Sequence, residues 1–422
     1  MEEHWKLVYV IGILALGFAV KSNADGSISC GFPAIYNFGD SNSDTGGISA
    51  TLNEILPPNG ETFFGHPAGR ASDGRLIIDF IAEGIKLPYL SAYMDSIGTN
   101  FRHGANFATG GSSVRPPGFS PFNLGIQISQ FIQFKARTTT LYNRLSLNTL
   151  GLELGNGSPR SSVRMSKEPW GYAVENEMEK GGRGDPFSSA FLGRIPLSIS
   201  NLPRPAEFSQ ALYTFDIGQN DLGHGFQTMS EKQVRDSIPD IVGELSKAIH
   251  ILYKEGARFF WIHNTGPLGC LPYNVIYGKK PGNVDKNGCV KAQNEAAMEF
   301  NKQLKNKITW LRTQLPFAKF TYVDVYSAKY DLISNAKKLG FVDPFNFCCG
   351  SFYGYHINCG KKAIVNGTVY GNPCDHPSNH ISWDGIHYSE TANMLVSNRI
   401  LNGSLSDPPV SIQDACHHQT DI

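Results

Sequence analysis

The sequence carries no excess charge of either sign, because 37 Lys and Arg balance 37 Asp and Glu over 422 residues. It also has no long basic run, so it offers nucleic acid no electrostatic footprint, and an acidic partner has no more support. Three glycine-rich signatures are missing. Without G-x-x-x-x-G-K-[ST] there is no P-loop, and without G-x-G-x-x-G after the first strand a dinucleotide site loses its support. No G-x-S-x-G occurs, which removes the nucleophile elbow of α/β-hydrolases. Apolar runs are short: the longest, Leu7 to Val20, has fourteen residues, too few to cross a bilayer comfortably.

That run follows Lys6 and ends at "KSNA", where Ser22 and Ala24 are the small residues that a signal peptidase requires. Residues 1–24 therefore read as a cleaved signal peptide and 25–422 as one secreted domain. Eight cysteines lie beyond the cut, an even number suited to an oxidising compartment. Cys270 and Cys289 bracket one loop as a local pair. Cys348, Cys349, Cys359 and Cys374 form a second cluster with three possible connectivities, and Cys30 and Cys416 remain near the two mature termini. His356 and His376 fall inside the second cluster, but CxxC spacing is absent and secretion favours disulfides over zinc. No metal is called for. Sequons at Asn156, Asn366 and Asn402 fit a glycosylated extracellular or cell-wall protein.

Along the chain, strand-like runs alternate with helical periodicity. "AIYNF" (34–38), "HGANFA" (103–108), "ALYTFDIG" (211–218), "RFFWIHN" (258–264) and "KFTYVDVY" (319–326) read as strands. Residues 124–136, Glu231 to Glu255 (stopped by Gly256), Glu295 to Gln314 and a segment from about Ser389 read as helices. The alternation predicts a parallel sheet covered on both faces. Ligands then bind beyond the carboxyl ends of the strands. Two strands end in polar clusters, "GDSNSD" and "GQNDL", so Ser41 and Asn220 are expected close together. Residues 147–199 are Gly-rich, Ser-rich and charged without sustained periodicity, and are expected to be a disordered surface insertion.

"SWDGIHYSE" puts Asp384 three residues before His387. A turn there lets the carboxylate hold one ring nitrogen and frees the other as general base. Ser41, at the mouth of the first strand, supplies a nucleophile that needs such a base. The flanking acids have structural readings: Asp40 shapes the turn and Asp44 caps a following helix. His66, His103 and His263 lack a visible partner. Asp216 and Asp221 flank Asn220 and could suggest a two-carboxylate glycosidase.

Together, "FGDSNSDTGG", "GANFATGGSS", "FDIGQND" and "WDGIHYSE" resemble the four blocks of the GDSL esterases and lipases in the SGNH hydrolase superfamily. The nearest likeness is to the plant secreted branch that includes the early-nodulin-like esterases. Asn42 stands where the eponymous Leu would be. The resemblance covers nearly the whole mature chain outside 147–199. It implies a flavodoxin-like three-layer α/β/α sandwich with a mainly parallel sheet, and a serine esterase or lipase that needs no cofactor. It further implies Ser41 as nucleophile, His387 as base and Asp384 as its orienting partner. The oxyanion hole would comprise the Ser41 N–H at the start of a helix, the Asn220 amide and a glycine of "TGG", Gly111 in preference to Gly110. The expected partner is a small-molecule or lipid ester, without membrane insertion of the mature chain. A glycosidase-like or catalytically inactive carbohydrate-binding member of the fold is the alternative.

Overall fold

A computed structural model describes residues 30–149, 161–166, 173–178, 199–352 and 356–417. The expected signal peptide and the Asn156 sequon lie outside the described residues. At the centre is a six-stranded sheet: β1 (Ile35–Gly39), β2 (Gly104–Asn106), β3 (Leu212–Asp216), β4 (Phe259–His263), β5 (Lys319–Val323) and β6 (Ser406–Asp407). The spatial order is β6-β5-β4-β3-β1-β2. All pairings are parallel except that of β6, which runs antiparallel on the β5 edge.

The strands are apolar on both sides because helices cover both faces. The helices are α1 (Ile77–Gly84), α2 (Leu124–Thr149), α3 (Gln219–Thr228), α4 (Glu231–Lys254), α5 (Pro272–Gly278), α6 (Lys291–Gln314), α7 (Val325–Ser334) and α8 (Glu390–Ile400). One set packs α2 and α6 against α4, and the other packs α1 and α7 against α8. The result is a three-layer α/β/α fold around a single large core that includes Tyr36, Phe38, Tyr213, Phe215, Phe260 and Trp261. Local signals set the helix ends: Ser230 Oγ accepts from Gln233 N before α4, and Ser389 Oγ accepts from Ala392 N before α8. Gly256, at φ +97°, follows α4 as expected.

Because β1 lies between β2 and β3, chain direction across the sheet reverses at the β1/β3 boundary, where such sheets open a crevice. In register, Gly39 faces Asp216, so the two polar clusters leave the sheet side by side.

One expectation fails. No helix follows β1: residues 40–52 form successive turns and bends. The reason is Asp44, whose carboxylate gathers N–H groups from two different loops instead of capping one helix. The expected insertion at 147–199 lies largely outside the described residues. Helix α2 continues to Thr149, and Ser161–Ser166 pairs antiparallel with Ala173–Met178.

All eight cysteines form disulfides: Cys30–Cys416, Cys270–Cys289, Cys348–Cys374 and Cys349–Cys359. The last two interlock the segment that precedes the Asp384–His387 turn, with Trp383 packed on them. Among the described residues, no helix is long and apolar enough to cross a membrane.

Candidate active site

The end of β1 is held from several sides. Gly39 N donates to Gln127 Oε1 at 2.9 Å, and Gln127 Nε2 returns a bond to Gly39 O at 2.8 Å. A Cβ on Gly39 would stand 2.6 Å from the Asp216 carbonyl oxygen and 2.4 Å from Ser43 Oγ, so only glycine fits. Beneath it, Asn37 Nδ2 donates to Asn106 Oδ1 (2.7 Å), and Asn106 Nδ2 donates to Ser43 O (2.6 Å). Buried amides thus tie β1, β2 and the serine turn together.

Asp40 is fully buried, and its Oδ1 accepts from both Asn42 N and Asn42 Nδ2 at 2.9 Å. The residue that replaces the usual Leu therefore closes the turn around Ser41. Asp44 Oδ1 accepts from Gly46 and Gly47 N, and its Oδ2 accepts from Ile48 N (2.9 Å) and Gly110 N (2.8 Å). That contact fastens the "TGG" loop to the serine loop. It also occupies the Gly110 N–H, while the N–H groups of Ser41 and Gly111 take no hydrogen bond among the described residues. Gly111 sits at φ +76°, a conformation that glycine adopts without strain. In the first turn of α3, Asn220 Nδ2 donates to Ser112 O at 2.9 Å, which orients its amide and leaves the second N–H free among the described residues.

Asp384 and His387 meet as their spacing predicted. His387 Nδ1 donates to Asp384 Oδ2 at 2.6 Å, and His387 N donates to Asp384 Oδ1 at 2.7 Å. Burial disfavours the imidazolium, but the Asp384 carboxylate outweighs it and His387 titrates above the ordinary histidine range. Burial likewise works against the Asp384 charge, yet His387 and two backbone N–H bonds hold its carboxyl below the usual range. His387 Nε2 is buried and has no hydrogen-bond partner among the described residues. Ser41 and His387 thus share the site without a closed hydrogen bond, as is common before substrate binds.

A cleft of about 910 Å³ is lined by Ser41, Gly110, Gly111, Asn220, Asp384 and His387 together. Three loops from distant parts of the chain bring one hydroxyl, free N–H donors and one imidazole to the same space. Such a set can carry out acyl transfer. The profile described as GDSL-like Lipase/Acylhydrolase matches residues 35–400, the span that holds every one of these groups. The chain belongs to the GDSL-like lipase/acylhydrolase family.

Relatives agree. GDSL esterase/lipase At3g27950 of Arabidopsis thaliana is 52% identical over 415 residues, covering 97% of this chain and 98% of that one. GDSL esterase/lipase ENOD8 of Medicago truncatula is 39% identical over 425 residues, 98% of this chain and 95% of its own. A protein named alpha-L-fucosidase 3, also of Arabidopsis thaliana, is 43% identical over 389 residues, covering 89% and 91%. Membership of the GDSL family makes this chain a carboxylic ester hydrolase.

Other residues fall differently. Asp221 is buried, accepts from Val114 N and Arg115 N, and burial pushes its carboxyl up to about 7. Asp216 is paired with His263 Nδ1 at 3.3 Å, and Trp261 Nε1 donates to His263 Nε2. Neither acid lines the cleft, so the two-carboxylate arrangement does not form. His263 does have partners, which sequence spacing could not show because they come from neighbouring strands. Among the described residues, the His66 and His103 rings hydrogen-bond to backbone carbonyls, Pro67 O and Pro33 O. Sequence reasoning missed Gln127 altogether and gave Asp44 only a local role. A buried Gln on an apolar helix face is the one signal that could have pointed to the former.

Proposed function

We propose that the protein is a secreted serine esterase or lipase that works through an acyl-enzyme on Ser41. One observation carries this reading: the Asp384–His387 couple at 2.6 Å leaves Nε2 unengaged in the cleft that Ser41 also lines. Ser41 Oγ attacks the ester carbonyl as His387 Nε2 takes its proton. The developing oxyanion leans on the N–H groups of Ser41 and Gly111 and on the Asn220 amide. His387 then protonates the leaving alcohol, and a water activated by the same nitrogen releases the acid. Gly111 is the glycine of choice because Asp44 holds the N–H of Gly110.

Secretion and glycosylation belong to the same reading. Four disulfides suit an oxidising compartment. Asn366 and Asn402 are both exposed, Asn366 between two short strands and Asn402 just after α8. Small-molecule and lipid esters are the substrates of choice.

Rates on p-nitrophenyl esters from acetate to palmitate test the proposal. We expect hydrolysis of at least part of the series, with loss in Ser41→Ala of all but a residual roughly 10³–10⁴ over water. Negligible rates throughout, or rates untouched by Ser41→Ala, would contradict it. The fucosidase name of one relative justifies a second assay. Release of sugar from an aryl fucoside that survives Ser41→Ala would favour the glycosidase reading.

A further inference from the structure

Acyl transfer uses only part of the cleft, and Ile48, Leu52 and Phe119 also line it. Leu52 is 53% exposed and Phe119 49%. A single exposed apolar side chain needs no explanation, but these border the same space as Ser41. Ile48 N donates to Asp44 Oδ2 at 2.9 Å, and Leu52 N donates to Ile48 O at 3.0 Å, one turn further on. A Cβ on Gly110 would stand 3.2 Å from the Ile48 side chain, and one on Gly111 3.2 Å from Phe119 Cβ. Ile48 and Phe119 therefore lie against the two glycines of "TGG", beside the oxyanion donor.

The Phe119 ring meets α3. It packs edge-on against His224, with ring centroids 5.4 Å apart. A Cβ on Gly223, three residues after Asn220, would come 3.8 Å from Phe119 Cε2. Gly223 lines the cleft too, so its lack of a side chain keeps a groove open between α3 and the ring. A different part of the cleft belongs to the imidazole. Tyr273 N donates to Gly385 O at 2.9 Å, and Tyr273 and Ile386 line the cleft with His387. Acyl transfer sends the leaving alcohol toward the nitrogen that protonates it. The acyl carbons then face away from His387, toward the apolar groove beside the oxyanion glycines.

We infer that Ile48, Leu52 and Phe119 form the wall that receives the acyl chain, with Gly223 leaving it room, so esters of aliphatic acids longer than acetate are the preferred substrates. The inference rests on the acyl-transfer reading above. Each methylene moved from water onto such a wall is worth up to about fourfold in kcat/KM. Because Leu52 and Phe119 stand half in solvent, the wall covers the chain on one side only, and the gain per methylene is smaller than that.

The test compares kcat/KM on p-nitrophenyl acetate and octanoate, which share one leaving group, so their ratio reads the acyl part alone. Wild type is expected to favour octanoate. The double variant Leu52→Ala/Phe119→Ala should lower the octanoate-to-acetate ratio about tenfold or more. Gly223→Leu, which fills the groove, should lower it about threefold or more. Ile97→Ala, at a residue 87% exposed and outside the cleft, should leave the ratio within about twofold. A ratio within about twofold of wild type in the double variant would overturn this inference alone and give the wall to the alcohol. Octanoate no better than acetate in wild type would overturn it too. Should the double variant fail to fold, Gly223→Leu decides, and an unchanged ratio there overturns the inference. Wild type inactive on both esters, or an active Ser41→Ala, would instead overturn the acyl-transfer reading.

Discussion

In the proposed mechanism His387 must be neutral at Nε2 to take the Ser41 proton, and Asp384 raises the pH at which that nitrogen becomes free. The sign follows directly. A raised folded-state pKa means that the protonated, inactive form persists to higher pH, so activity falls as pH drops through that value. The acid limb of kcat/KM is expected above the ordinary histidine value of about 6.5. In Asp384→Asn the support for the imidazolium is lost, so the limb should move to lower pH while kcat drops. A limb at or below the ordinary value in wild type would contradict the coupling. Asn220 has a simpler role: one N–H of its amide is fixed on Ser112 O and the other is free. Asn220→Ala should lower kcat by on the order of 10²–10³ and leave the fold intact.

Loops, more than strands, carry this site, and Asp44 joins two of them. Four backbone N–H groups converge on its carboxylate inside the protein. Leaving a buried donor without an acceptor costs about 1–3 kcal/mol, so Asp44→Ala should lower unfolding free energy by roughly 3 kcal/mol or more. Chemical denaturation measures this, and an unchanged midpoint would show that the two loops hold without it. The strands and long helices were legible because their apolar periodicity directly reflects burial, as in Val234, Ile238, Ile241 and Leu245 of α4. The Asp384–His387 pair was legible because a spacing of three residues in one turn fixes its geometry. The path after β1 was not. Asp44 beside a serine reads as a helix-capping residue, and nothing local reveals that it bonds a loop sixty-six positions away.

The whole chain closes on itself. Cys30, just before β1, is bonded to Cys416, 386 residues later, so the serine strand and the segment after α8 share one covalent ring. Such a long loop loses much conformational freedom when cross-linked. Replacing both cysteines by serine should cost about 2–5 kcal/mol and lower Tm, with kcat at moderate temperature little changed. A loss of kcat without a fall in Tm would mean that the bond shapes the cleft instead of securing the fold. The same global arrangement brings the start, middle and end of the sequence to one cleft, and the mechanism depends on that convergence. A fluorophosphonate, which reacts with a serine only when a base and an oxyanion hole activate it, probes all three at once. Intact mass followed by peptide mapping is expected to find one adduct per chain, on Ser41, with none in Ser41→Ala and a much slower reaction in His387→Ala. An adduct on another residue, or none on a protein that still hydrolyses esters, would contradict the account.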